Sequence, residues 1–142
     1  MPEFRFFHPT EVRYGDLDPQ GHVNHARILT YFEQARLRYW LELGLFTIDQ
    51  SWTELGVIIA DVHIRYELPV RWGTPLKVGV LTKIIGNKSF TMEECLAEAA
   101  GERVFARAQV VLVAYDYVKG CSLRVPDAWR DRLQAHEGRP LT

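Results

Sequence analysis

Cysteine is scarce in this chain. Cys95 and Cys121 stand alone without CxxC spacing, and Cys95 falls inside a strand pattern. That argues against a disulfide framework and fits a reducing compartment. Long hydrophobic runs are missing too, and the opening residues MPEFRFFHPT lack the basic segment and apolar core of a secretory leader. The expectation is a cytoplasmic protein with no membrane partner. Neither sign of charge dominates: 17 Lys and Arg against 18 Asp and Glu leave a formal net charge of -1. No general attraction to nucleic acid or to an anionic membrane follows from that balance. Internal repeats, linkers and low-complexity segments are absent as well. What remains is globular in composition, since 47% hydrophobic and 25% charged residues argue against disorder and fibrous architecture. A chain of 142 residues is then expected to form one domain, 1–142.

Periodicity divides the chain into alternating elements. Aromatic and β-branched residues from Phe4 to Tyr14 predict a first strand that ends at DPQG. Asn24 is a candidate helix cap and Gly44 a stop, which predicts a helix of roughly five turns. Its expected apolar face holds Ile28, Leu29, Phe32, Ala35, Tyr39, Trp40 and Leu43. The segment IIADVHIRYELP alternates, with Ile58, Ala60, Val62, Ile64, Tyr66 and Leu68 on one face. PLKVGVLTKI places Leu76, Val78, Val80, Thr82 and Ile84 together, and IGNKS supplies a turn. Two further strands follow, from Ser89 to Ala100 and through RVFARAQVVLVAYDYV, and Asp127 is a candidate cap for a short terminal helix. The order predicts an α+β layer, an antiparallel sheet with one helix on its apolar face. A single helix leaves a sheet face or an edge bare, so a second subunit is expected.

The polar stretch YGDLDPQGHVNHAR stands at the mouth of the predicted helix. Asp16 and Asp18 share a face on extended backbone, but DPQG bends directly afterwards, so they need not act together. The stretch imitates the start of a calcium loop, yet Arg27 occupies the position of the bidentate Glu and Pro19 interrupts it. His22 and His25 lack a second cluster that would complete a metal site, so no metal is assigned. A carboxylate beside a helix N-terminus is stabilised by unpaired N–H groups, and the same donors polarise a carbonyl under attack. Carboxylate plus donors is chemistry suited to acyl transfer. The plainer alternative for Asp18 is that it starts the DPQG turn.

VRYGDLDPQGHVNHARILTYFEQARLRYW, followed by YELPVRWGTPLKVGV and NKSF, resembles the 4-hydroxybenzoyl-CoA thioesterase branch of the hot-dog fold superfamily, with its YbgC-like and FadM-like acyl-CoA thioesterases. The resemblance runs from about Val12 to Pro126. It implies a five-stranded antiparallel sheet wrapped around one long central helix. It also implies Asp18 as nucleophile or general base and the backbone N–H of His25 as donor to the thioester carbonyl. Gly21, His22, Asn24 and Glu33 take supporting roles. Asn87, Lys88, Ser89 and Arg124 match the segments that contact the nucleotide of coenzyme A. Arg36 and Glu33 fall near the apolar stripe, where an ion pair holding helix to sheet, or to Asp16, is the expectation. Trp40, Phe46, Trp52 and Phe90 are candidates for shaping the acyl pocket. The implied activity is acyl-CoA hydrolysis with water as co-substrate and no cofactor, in a homodimer paired edge to edge or a tetramer built from two. The alternatives are a thioesterase for acyl-carrier protein and a non-catalytic acyl-binding module.

Overall fold

A computed structural model gives the fold and describes residues 3–51, 54 and 56–142; Trp52 lies outside the described residues. Strand β1 (Phe6–Thr10) leads into helix α1 (His25–Leu43), and four strands follow: β2 (Val57–Tyr66), β3 (Leu76–Ile85), β4 (Ser89–Glu98) and β5 (Val104–Asp116). A short β6 (Cys121–Ser122) pairs with β5, and α2 (Asp127–Glu137) closes the order. The strands run β1-β3-β4-β5-β2, every neighbouring pair antiparallel. β6 makes the sheet six-stranded, one strand more than the sequence predicts.

Helix α1 is bounded by the residues expected to bound it. The Asn24 side chain accepts the Ala26 N–H at 2.9 Å, and Gly44, with φ of +76°, turns the chain out at the C-terminus. Its buried face holds Ile28, Tyr31, Phe32, Ala35, Arg36, Tyr39 and Trp40; Leu29, expected there, is exposed. All but Arg36 pack with Leu76, Val78, Val80, Met92, Leu96, Val110 and Leu112 of the sheet in one core. Fully buried rings such as Phe32 and Tyr39 each stabilise the fold by about 1.5–3 kcal/mol through apolar burial.

Three departures from the predicted elements have local causes. β1 stops early because Tyr14–Asp16 form a 3-10 turn, in which the buried Asp16 carboxylate accepts the Arg13 N–H at 2.9 Å. Register shifts interrupt three strand pairings, between Ile59 and Asp61 in β2, between Thr82 and Ile84 in β3, and between Leu96 and Ala97 where β4 meets β5. Each extra residue swaps the faces beyond it. Ile59 therefore joins the helix side opposite Leu112, and Ile85 rather than Ile84 is buried. At α2, Pro126 rather than Asp127 takes the cap position.

The two ends of α1 are tied down differently. Near its C-terminal end the Tyr39 hydroxyl donates to the Glu137 carboxylate at 2.9 Å and lies 2.9 Å from the Thr82 hydroxyl. Burial and the Glu137 charge hold that hydroxyl protonated, well above the ordinary tyrosine range. At the other end β2 runs beside α1 as an edge strand. Of its ten residues, Val57 and Ile64 are half-buried and the rest exposed.

Candidate active site

The stretch from Asp18 to His22 is a tight reversal. The Gly21 N–H donates to the Asp18 carbonyl at 3.0 Å, and the Asp18 N–H donates to the His22 carbonyl at 2.7 Å. Pro19 sits where a turn wants a fixed φ, and Gly21 has φ of +79°, a conformation other residues rarely adopt. The Asp18 Oδ1 accepts the N–H groups of Gln20 and His22 at 3.0 and 3.1 Å. The turn reading of this aspartate is therefore correct, and it engages one oxygen. Among the described residues Oδ2 has no hydrogen-bond partner, and the half-buried side chain lines a cavity of about 290 Å³.

The helix mouth lines the same cavity through His25 and Ile28. Asn24 takes the Ala26 N–H with its side chain and the Arg27 N–H with its carbonyl. The His25 N–H is left without an acceptor among the described residues. Tyr66, at the end of β2, fixes this mouth. Its hydroxyl donates to the His25 carbonyl at 3.0 Å, and its ring meets the imidazole edge-on at 6.1 Å. Sequence reasoning placed Tyr66 on the inner face of its strand without giving it this role. His22 lines the same cavity and holds it to the next loop through bridges of His22 with Arg71 and of the Val23 N–H with the Val70 carbonyl, 2.8 Å.

Asp16 is separated from this chemistry. Its Oδ2 accepts the Tyr31 hydroxyl at 2.6 Å inside the core. Burial and that acceptor push the Tyr31 phenol well above its ordinary range.

Comparison with known proteins places the arrangement. The thioesterase-like superfamily model matches residues 12–133. The chain belongs to the thioesterase-like superfamily. A thioesterase from Thermus thermophilus, crystallised with coenzyme A and zinc, is 35% identical with a TM-score of 0.85, covering 99% of this chain and 100% of its own. A predicted thioesterase from Bacillus stearothermophilus is 26% identical with a TM-score of 0.84, covering 95% and 98%. The uncharacterized YsmA of Bacillus subtilis is 26% identical over 130 residues, 92% of this chain and 86% of its own length. The fold is thus the hot-dog fold, and the reaction class of this superfamily member is thioester hydrolysis.

The remaining site residues of this thioesterase gather elsewhere. Asn87, Lys88 and Ser89 form the β3–β4 turn, closed by the Gly86 N–H on the Ser89 carbonyl at 2.7 Å. Arg130 of α2 binds that turn to the segment after β6: Nη2 donates to the carbonyls of Gly86 and Asn87 at 2.6 and 2.9 Å, and Nε to Val125 at 3.1 Å. Arg124 lies on the joined segment and pairs with Asp127 at 2.6 Å. The four residues matched to nucleotide contacts are thus brought to one end of the sheet, but not to Asp18. The next residue, Phe90, packs against Trp40 with ring centroids 6.5 Å apart. Trp40 lies fifteen residues along α1 from His25, roughly 22 Å at the helical rise.

Glu33 is exposed and lines a second cavity, of about 500 Å³, between α1 and β2. The partner of Arg36 is Glu94 of β4, at 2.7 Å, rather than Glu33 or Asp16. Burial pushes the Glu94 carboxyl up to about 7 against the pull of the Arg36 guanidinium, and the nearby Glu33 charge adds to the rise. Of the candidates for the acyl pocket, Trp40 lines this second cavity, while Phe46 and Phe90 are buried.

Proposed function

We propose that the substrate is an acyl-CoA, hydrolysed to the free acid and coenzyme A at Asp18. The observation that carries this reading is the meeting, at one cavity, of the open Asp18 Oδ2 with the unengaged His25 N–H. A thioester carbonyl accepting from His25 is polarised by the positive end of α1, and the oxyanion formed on attack is held there. Asp18 then acts either by taking a proton from the attacking water or by attacking the carbonyl itself, forming an anhydride that water opens. In both routes the carbon–sulfur bond breaks, the coenzyme leaves as a thiol, and one water is consumed; its oxygen enters the acid directly in the general-base route, and enters either the acid or the regenerated Asp18 carboxylate when the anhydride opens. The coenzyme A held by the Thermus relative supports this choice of handle. Among the described residues no three His, Cys, Asp or Glu side chains are grouped to hold a metal ion, and the route uses none.

The working unit of this reading is a dimer paired through the two β2 edges. β2 has β5 on one side, and its exposed opposite edge is open to a second strand. Antiparallel pairing about a twofold axis lays Tyr66 of the partner subunit beside Val57. Val57 borders Trp40 and Phe90, so Asp18 of the partner subunit comes to the end that carries Asn87, Lys88, Ser89 and Arg124. One chain then supplies the nucleotide contacts and the other the carboxylate. The outer sheet face, where Cys95, Ala97 and Val104 pack with Phe4, joins two such dimers into a tetramer. Each chain is one domain, and a reducing cytoplasmic location suits the two free cysteines, one of them exposed.

The test is thiol release from short, long and aromatic acyl-CoAs by wild type and Asp18→Asn side by side. Hydrolysis that depends on Asp18 is the expected result. No turnover across the panel overturns the acyl-CoA reading.

A further inference from the structure

The helix side of β2 is apolar along its whole length. Val57, Ile59, Val62, Ile64 and Tyr66 stand opposite Ala114, Leu112, Val110, Ala108 and Ala106 of β5, and those five β5 residues belong to the core on which α1 packs. Yet Ile59, Val62 and Tyr66 remain exposed. The strip joins the two cavities. Tyr66 lines the one that holds Asp18 and His25, whereas Val57 and Ile59 line the larger one with Leu37, Trp40 and Leu112. Exposed apolar side chains gathered in one strip mark a surface that something covers. Pairing of β2 edges does not itself cover them, because it uses backbone groups in the plane of the sheet, while side chains stand out of that plane.

The strip starts at the helix mouth and is stopped at its other end. α1 and β2 run in opposite directions: Tyr66 donates to the His25 carbonyl at 3.0 Å, and Val57 borders Trp40. The larger cavity follows α1 from Thr30 to Trp40, roughly 15 Å of helix. Thr30, Glu33 and Gln34 line it from exposed positions, and Arg36 is already neutralised by Glu94 at 2.7 Å. Leu37, Ile59 and Leu112 are left to meet an apolar ligand. Rings stand at the Val57 end. Tyr117 lines the cavity there, its hydroxyl donating to the Val57 carbonyl at 2.6 Å and its ring meeting Tyr115 edge-on at 4.9 Å. Trp40 meets Phe90 edge-on at 6.5 Å, and the void that these two rings border with Val57 and Trp129 holds only about 10 Å³. That is room for one water at most.

We infer that an aliphatic acyl chain runs from the helix mouth along this strip into the larger cavity, and that Tyr117 and Trp40 set how far it reaches. The position of the thioester, with its carbonyl at the His25 N–H, rests on the acyl-CoA reading. From there the chain starts in the cavity that Tyr66 lines, and the strip leads it away from the mouth. A single aromatic ring covers only part of a slot of that length. An extended chain removes the whole strip from water, and the gain follows the apolar area removed.

The experiment measures affinity for butyryl-, hexanoyl-, octanoyl-, decanoyl-, lauroyl-, palmitoyl- and benzoyl-CoA by calorimetry on Asp18→Asn, and thiol release on wild type. Affinity is expected to rise by about fourfold per added methylene and to level off at the chain that reaches Tyr117 and Trp40. Benzoyl-CoA is expected to bind roughly tenfold or more below the best aliphatic chain. Two further variants are made in the Asp18→Asn background. Tyr117→Ala is expected to move the levelling point to a longer chain, and Leu37→Trp, which fills the slot, to a shorter one. Circular dichroism establishes that each variant is folded. Affinity independent of chain length, as when a second copy of the chain fills the strip, overturns the inference, and so does tightest binding of benzoyl-CoA. A levelling point that stays in place in either folded variant overturns it as well. If no acyl-CoA releases thiol, the hydrolase reading fails, and the affinities still judge the slot.

Discussion

Replacing Asp18 with asparagine separates its two jobs. The turn needs an acceptor at Oδ1 for the N–H groups of Gln20 and His22, at 3.0 and 3.1 Å. An asparagine carbonyl keeps both bonds but makes them neutral, which weakens each by roughly half. The stability loss is then about 1 kcal/mol or less, a fall of a few degrees in Tm for a domain of this size. Chemistry loses far more. An amide neither takes a proton from water nor attacks a carbonyl, and a positioned general base alone contributes about 10²- to 10⁴-fold. The expected result in a thiol-release assay is kcat lowered by about a thousandfold with KM nearly unchanged. Asp16→Asn is the matched control, because its oxygen serves the Tyr31 hydroxyl and the Arg13 N–H inside the core. That change is expected to cost about 1–3 kcal/mol in stability while altering kcat much less. Turnover by Asp18→Asn within about threefold of wild type, with normal folding, would refute the assignment.

Other substitutions probe the supports. Tyr66→Phe removes the hydroxyl that holds the His25 carbonyl at 3.0 Å, and kcat is expected to fall by about tenfold as the donor loses its position; an unchanged kcat removes the clamp from the mechanism. Glu94 carries a pH signature: its carboxyl moves from an ordinary 4.5 to about 7 on folding, so the native chain binds more protons than the unfolded one between those values. Its contribution is full below about pH 4.5 and is lost as pH rises through about 7, a change of about 3 kcal/mol. Glu94→Gln should flatten that slope in thermal melts from pH 5 to 7.5, and parallel slopes would sink the argument. Light scattering should give a multiple of the 16.4 kDa chain mass, whereas a stable active monomer contradicts edge pairing.

What the sequence made legible is what local chemistry decides. Asn24 and Gly44 bound α1 because a side-chain acceptor and a left-handed glycine act within a few residues. The Asp18 turn is legible for the same reason. Alternation failed at the bulges, since a period of two cannot register an inserted residue: Ile59 and Ile84 changed faces, and Ile85, expected in the turn, ends β3 buried. Arg36 clearly needed a counter-charge, but Glu94 lies 58 positions away on a strand whose pairing only the fold fixes. Arg130, which gathers the β3–β4 turn from 43 positions away, carries no local signal of that role.

The separation of rigidity from chemistry follows from how α1 is anchored. A donor aimed at a developing oxyanion is effective only if it does not have to reorganise, so the helix mouth must be held by groups outside the reaction. Tyr66 holds the His25 carbonyl, Asn24 takes the adjacent donors, and Tyr31 anchors the first turns to Asp16. Gly44, nineteen residues beyond His25, and the Tyr39–Glu137 contact fix the other end. None of these groups supplies a proton or a charge to the thioester. Losses among them should therefore show first as lower stability and a lower kcat at unchanged pH dependence. Only loss of Asp18 removes the chemistry while leaving the frame intact.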